Sequence, residues 1–192
     1  MDHYVDITLR PDPDFPAPLL MNALFAKLHR ALVSHSAQLG GRLGASFPGH
    51  VGTGRALQLG ERLRLHGEAS ALDTLLASDW LSGMRDHSLP APVAPVPAGA
   101  QHRVVRRVQA QSSPERLRRR LARRHQLDAA EAAQRIPDSV AQTLRLPWVQ
   151  LRSSSTDQNF RLFIEHGPLL PHPLPGTFSP YGLSLGATVP WF

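Results

Sequence analysis

A chain of 192 residues and 21.1 kDa, 42% of them apolar, can bury one fairly large core or two small ones. It has no cysteine, which excludes a disulfide framework and a thiolate zinc site. It also has no apolar run long enough to span a bilayer, and the opening MDHYVDITLR lacks the basic-then-apolar build of a signal peptide. The net charge is +6, yet nine arginines fall between Arg103 and Arg124 with Glu115 as the only acid, so this window carries +8 and the rest of the chain −2. These features predict a soluble cytoplasmic protein with no membrane partner, whose local basic stripe meets a phosphate backbone.

Residues 3 to 10 alternate, with Val5, Ile7 and Leu9 on one side and Tyr4, Asp6 and Thr8 on the other, the period-two pattern of a half-buried strand. The prolines from Pro11 onward end it. From about Ala17 to Ser34, Leu20, Leu24, Leu28 and Ala31 or Leu32 recur at spacings of three and four, so an amphipathic helix follows, with His29 at the edge of its apolar stripe. Leu43, Ala45 and Phe47, then Glu61 to His66, predict two more strands around the Gly-rich loop Pro48 to Gly54. Leu72, Leu75, Leu76 and Trp80 mark a second helix ending near Gly83, and Met84 to Leu89 begins a fourth strand.

Strand, helix, strand, strand, helix, strand is the ferredoxin-like order found in RNA-recognition motifs. The third strand has no aromatic residue of the kind that stacks bases in such motifs, so RNA is not expected on that sheet face. Four prolines between Pro90 and Pro97 predict an extended connector and a boundary. The expected fold is therefore α+β, with a ferredoxin-like domain over 1–97 and an α+β region carrying an Arg-rich helix over 98–192.

In that second region Val104 to Ala110 reads as a strand. Ser113, Pro114 and Glu115 suit the cap, first position and first turn of a helix running to about His125. Asp128 and Glu131 have the spacing of a capping box for a short helix that stops before Pro137, and Val140 and Leu144 suggest one more helical piece. Trp148 to Arg152 and Phe160 to Ile164 read as strands around the polar turn Ser153 to Asn159, before a Gly/Pro-broken tail.

At about 100° per residue, Arg119, Arg120, Arg123 and Arg124 fall with Arg116 on one arc of roughly 140°, with Leu117 and Leu121 beside it and Arg118 opposite. Like charges at these spacings oppose helix formation by about 0.2–0.5 kcal/mol per pair, so an anionic partner is expected to neutralise them. A solvated face, an acidic protein and a DNA major groove fit the same pattern. No metal-ligand spacing is present, and no metal or other cofactor is expected. RNA supplies its own nucleophile, the 2′-hydroxyl, and one histidine near its ordinary pKa suits the proton transfers. Spacing does not choose among the ten histidines: His29 fits a structural role or a catalytic one, and Ser153 to Thr156 fits a plain turn.

The opening MDHYVDITLRPDPDFP, the helix ALFAKLHRALV, the stretch RVQAQSSPERLRRRLARRH, the run RIPDSV, the hairpin LRSSSTDQNFRLFIEHGPL and the end YGLSLGATVPWF together resemble the CRISPR-RNA-processing endoribonucleases of the type I-F (Csy) system. The resemblance implies a substrate, the repeat stem-loop of precursor CRISPR RNA. It implies metal-free cleavage at the 3′ base of the stem to a 2′,3′-cyclic phosphate and a 5′-hydroxyl, with the mature guide kept in a surveillance complex alongside other subunits. It further implies His29 as base, Ser153 holding the 2′-hydroxyl, Ser155 assisting and Tyr181 orienting the histidine. Arg107 and Gln109 would read base edges, Phe160 would stack on the terminal pair, and Arg119, Arg120, Arg123, Arg124 and His125 would line the stem. Pro180 and Leu185 depart from the family pattern, the latter where the family can carry lysine. The alternative is a catalytically silent hairpin-binding subunit of the same complex, over which His29, Ser153 and Tyr181 together favour cleavage; a DNA-binding regulator would leave the hairpin serines without a role.

Overall fold

A computed structural model describes residues 1–51, 57–109, 114–137, 144–153 and 157–192. The fold is α+β, and the chain divides into two compact units, one of residues 1–107 with 146–192 and one of 108–145.

The first unit opens with β1 (His3–Leu9), α1 (Ala17–Ser34), the short α2 (Ser36–Leu39), β2 (Gly44–Ser46), β3 (Arg62–Gly67), α3 (Ala69–Ala77), β4 (Ser88–Pro90) and β5 (Ala94–Pro95). The sheet order β2-β3-β1-β4, all antiparallel, is ferredoxin-like, as the element order predicts. Alternation sets its core: Val5, Ile7 and Leu9 on β1 and Leu63 and Leu65 on β3 are buried under Leu24, Phe25 and Leu28 of α1 and Leu72 and Leu75 of α3.

The proline-rich stretch is extended, as its composition predicts, and it also belongs to the sheet. β4 and β5 both pair with β1, and between and beyond them Ala91 N donates to Asp6 O and Val96 N to Asp2 O, each at 2.8 Å. Non-proline residues thus supply the donors that the prolines lack, which is how an edge strand tolerates them.

The other face of this sheet is closed. Arg64 on β3 is only 4% exposed; its guanidinium donates to both carboxylate oxygens of Asp6 at 2.7 and 2.9 Å and lies 4.0 Å from the centre of the Phe192 ring. His66 and Ser46 are fully buried and share a hydrogen bond of 2.8 Å. Gly44 allows this closure, because a Cβ there would come within 2.6 Å of Val189. The face that stacks bases in RNA-recognition motifs is therefore filled by the protein's own tail.

The second sheet has the order β7-β8-β6-β9, from β6 (Gln101–Val108), β7 (Trp148–Arg152), β8 (Asn159–Leu170) and β9 (Val189–Trp191). β8 runs past the expected Ile164 through Gly167 and Pro168. Tertiary partners support that extension: His166 stacks on His50 with 3.6 Å between ring centres, and Gly167 O accepts from Arg103 Nε at 2.7 Å. Asn22 of α1 ties this sheet to the helix, its Oδ1 accepting from Gln150 N at 2.8 Å.

The second unit holds α4 (Pro114–His125) and α5 (Ala129–Arg135). The capping box forms as its spacing predicts: Glu131 N donates to Asp128 Oδ1 at 2.8 Å and Asp128 N to Glu131 Oε2 at 3.2 Å. Ser113 and most of the helical piece suggested around Val140 and Leu144 lie outside the described residues. Among the described residues no helix is long and apolar enough to cross a membrane, and no three His, Asp or Glu side chains gather as a metal-binding group.

Candidate active site

A cavity of about 670 Å³ opens in the first unit between α1 and the β7–β8 hairpin. His29, Arg30 and Val33 of α1, Ser153 and Phe160 of the hairpin, Arg107 of β6 and Tyr181 are among its lining residues. Among the described residues three arginines and no carboxylate line it, and although Arg152 is paired with Asp157 the cavity favours an anion.

The hairpin wall follows from its register. Leu151 pairs with Phe160 and Arg152 with Asn159, and Ser153 N donates to Gln158 O at 2.9 Å to close the turn. Arg152 pairs with Asp157 at the cavity rim, while strand alternation turns Ser153 toward the same side as buried Leu151. Asp157 sits at φ +56°, a left-handed conformation that Asp tolerates in turns, and its N donates back to Ser153 O at 2.9 Å.

The histidine is held by a turn distant in sequence. Gly182 N donates to Ser179 O at 2.8 Å, so Pro180 and Tyr181 are the two central residues of a β-turn. Gly182 has φ +70° and its carbonyl accepts from Ala45 N at 2.7 Å; a Cβ at Gly182 would sit 3.0 Å from that of Ala45, so the turn is pinned against β2. The Pro180 carbonyl then accepts from His29 Nδ1 at 2.9 Å. A carbonyl oxygen only accepts, so Nδ1 carries hydrogen and Nε2 is left with the lone pair when the ring is neutral. The Tyr181 ring stacks on His29, 4.0 Å between centres and 14° from parallel, and Phe25 lies behind it at 6.4 Å and 7°.

Arg107 crosses this assembly, its guanidinium carbon 5.7 Å from the Phe160 ring centre and 5.6 Å from that of Tyr181. Its Nε is buried without a hydrogen-bond partner among the described residues. The structure thus brings together His29, Ser153, Tyr181, Phe160 and Arg107. Gln109, Arg119, Arg120, Arg123, Arg124 and His125 belong to the second unit, where all six are exposed. Ser155 lies outside the described residues. The Pro180 carbonyl has no sequence signal, since every residue carries one, and Arg30 is a cavity residue that sequence patterns did not single out.

The model of a CRISPR-associated protein family, Cas_Csy4, matches residues 4–192. A CRISPR-associated endonuclease Cas6/Csy4 from Pseudomonas aeruginosa (strain UCBPP-PA14) is 57% identical over 192 residues, covering all of both chains. One of the same description from Escherichia coli (strain UTI89 / UPEC) is 46% identical, again over the full length of both. With a family model spanning nearly every residue and end-to-end identity to two such nucleases, this chain belongs to the Cas6/Csy4 family of CRISPR-associated endonucleases.

Proposed function

We propose that this protein is a metal-independent, hairpin-specific endoribonuclease that cuts precursor CRISPR RNA at the 3′ base of the repeat stem-loop. It then keeps the mature guide as a cytoplasmic subunit of the type I-F surveillance complex. The observation that carries this reading is the clamp on His29: a main-chain acceptor at Nδ1 and a stacked tyrosine leave Nε2 as the base, in an anion-favouring cavity shared with Ser153.

Nε2 takes the proton from the 2′-hydroxyl of the nucleotide before the cut, and Ser153 holds that hydroxyl in line with the phosphorus. The 2′-oxygen attacks phosphorus and the bond from phosphorus to the 5′-oxygen breaks. That oxygen leaves with the proton returned by the imidazolium, giving a 2′,3′-cyclic phosphate and a 5′-hydroxyl. Tyr181 keeps the ring in place throughout. Phe160 stacks on the last base pair and Arg107, with Gln109, reads base edges below it. Arg119, Arg120, Arg123, Arg124 and His125 meet the phosphates and groove of the stem. RNA major grooves are deep and narrow, but near the open ends of a short hairpin long arginine side chains can enter.

The test is incubation in EDTA with a type I-F repeat hairpin and with the same RNA carrying a 2′-deoxy nucleotide before the cut. A single cut of the first and intact binding of the second are expected. Abolition of cutting in EDTA would overturn metal independence, and binding of both with no cutting would leave only a hairpin-binding subunit.

A further inference from the structure

Helix α1 carries two separate stripes. With His29 set at zero and about 100° per residue, the core residues Leu20, Met21, Leu24, Phe25, Leu28, Ala31 and Leu32 fall between roughly 180° and 320°. The cavity residues Ala26, Arg30, Val33 and Ser34 fall between about 40° and 140°. His29 marks the border between them, and Asn22, which holds β7, lies on the cavity side. The face that fastens the hairpin at Asn22 therefore opens one turn later into a groove leading away from His29.

Ala26 packs against the core, but folding does not account for Val33 and Arg30 in that groove. Val33 is 50% exposed, a branched apolar side chain outside the core. Arg30 is exposed, and among the described residues no acid or carbonyl pairs with it, whereas Arg152 in the same cavity is matched by Asp157. Ala26 keeps the floor low. A guanidinium beside an apolar side chain over a shallow floor suits one nucleotide, with the phosphate on the cation and the ribose or base on the apolar surface.

Resting on the function proposed above, we infer that Ala26, Arg30 and Val33 form a subsite for the nucleotide immediately 3′ of the cut, with Arg30 bound to the phosphate on its 3′ side, the first one downstream of the scissile phosphate. The hairpin wall, with Ser153, Phe160 and nearby Arg107, takes the stem on the 5′ side of the cut, which leaves the α1 wall for the strand that continues past it. Cleavage then releases this strand from a subsite of its own while the stem stays bound, and the precursor is held more tightly than the product.

Two RNAs test this: the hairpin ending at the cut, and the same hairpin extended by three nucleotides with a 2′-deoxy nucleotide before the cut. Wild-type protein is expected to bind the extended RNA about 5- to 10-fold more tightly, with a salt slope steeper by about one. Arg30→Ala is expected to erase both differences while leaving affinity for the short hairpin unchanged, and Arg30→Lys to keep the slope difference. Because Arg30 is exposed, both variants should fold, which circular dichroism checks. Equal binding of the two RNAs by the wild type, or an undiminished preference in Arg30→Ala, would overturn the subsite. Failure of the wild type to bind either hairpin would instead overturn the functional reading on which it rests.

Discussion

His29 lies on the boundary between the buried and open faces of one helix, so its ring can be anchored by the protein and still meet a substrate. The anchoring acceptor, Pro180 O, is 151 residues away in the chain. His29→Ala should lower single-turnover cleavage by about 10²- to 10⁴-fold, the usual contribution of a positioned general base. Hairpin affinity should stay unchanged, since binding rests on other residues; loss of binding together with loss of folding would make His29 a core residue instead. None of this geometry is legible in local sequence. Ten histidines compete for the role, and family resemblance, rather than any spacing, singles out His29. The resemblance also nominates Tyr181, but the partner that fixes the imidazole tautomer is a backbone carbonyl, for which no side chain gives a sign.

At the scale of elements, α4 matches its periodicity closely. Arg119, Arg120, Arg123 and Arg124 are exposed, Leu117 and Leu121 are half-buried, and Arg118, on the opposite side, donates from Nε to Ile136 O at 2.8 Å. Arg118 therefore fastens the helix to the end of α5 while Arg119, Arg120, Arg123 and Arg124 are exposed. Arg120→Ala and Arg123→Ala should each weaken hairpin binding and reduce the slope of log K against log salt by about one. Fluorescence anisotropy at several salt concentrations measures this, and an unchanged slope would remove these residues from the phosphate contacts. The helix was legible because residues three and four apart share a face whatever surrounds them. The length of β8 was not, because Gly167 and Pro168 discourage a strand locally, whereas pairing with β6 and contacts to Arg103, His50 and Trp191 favour one there. The pairing of β5 along β1 was hidden for a similar reason, since Pro95 discourages a strand locally.

At the scale of the whole molecule, fully buried His66 and half-buried His166 have ring nitrogens shut off from solvent. Burial, reinforced by Arg64, pushes His66 down to about 3, and burial with His50 and Arg103 nearby pushes His166 down to about 3. In the unfolded chain both titrate near 6.5, so below that pH the unfolded state binds more protons than the folded one. Stability should be complete above about pH 6.5 and fall as pH drops toward 3, each histidine contributing on the order of 1 kcal/mol per pH unit. Urea unfolding between pH 7.5 and 5 measures this, and a flat stability across that window would show that these sites admit protons when folded.

Read alone, the sequence determined the elements of the ferredoxin-like half, the capping box and the charged face of α4, because each depends on residues within a turn or a strand of one another. It also carried, through its family resemblance, the residue types of the site. Only the tertiary structure decided which ring nitrogen of His29 is tied to the Pro180 carbonyl, why the first sheet's open face is closed by Arg64 and Phe192, and that α1 has a second, unfilled stripe. Those features join segments more than a hundred residues apart, and contacts between such segments are set by packing, which no local pattern records.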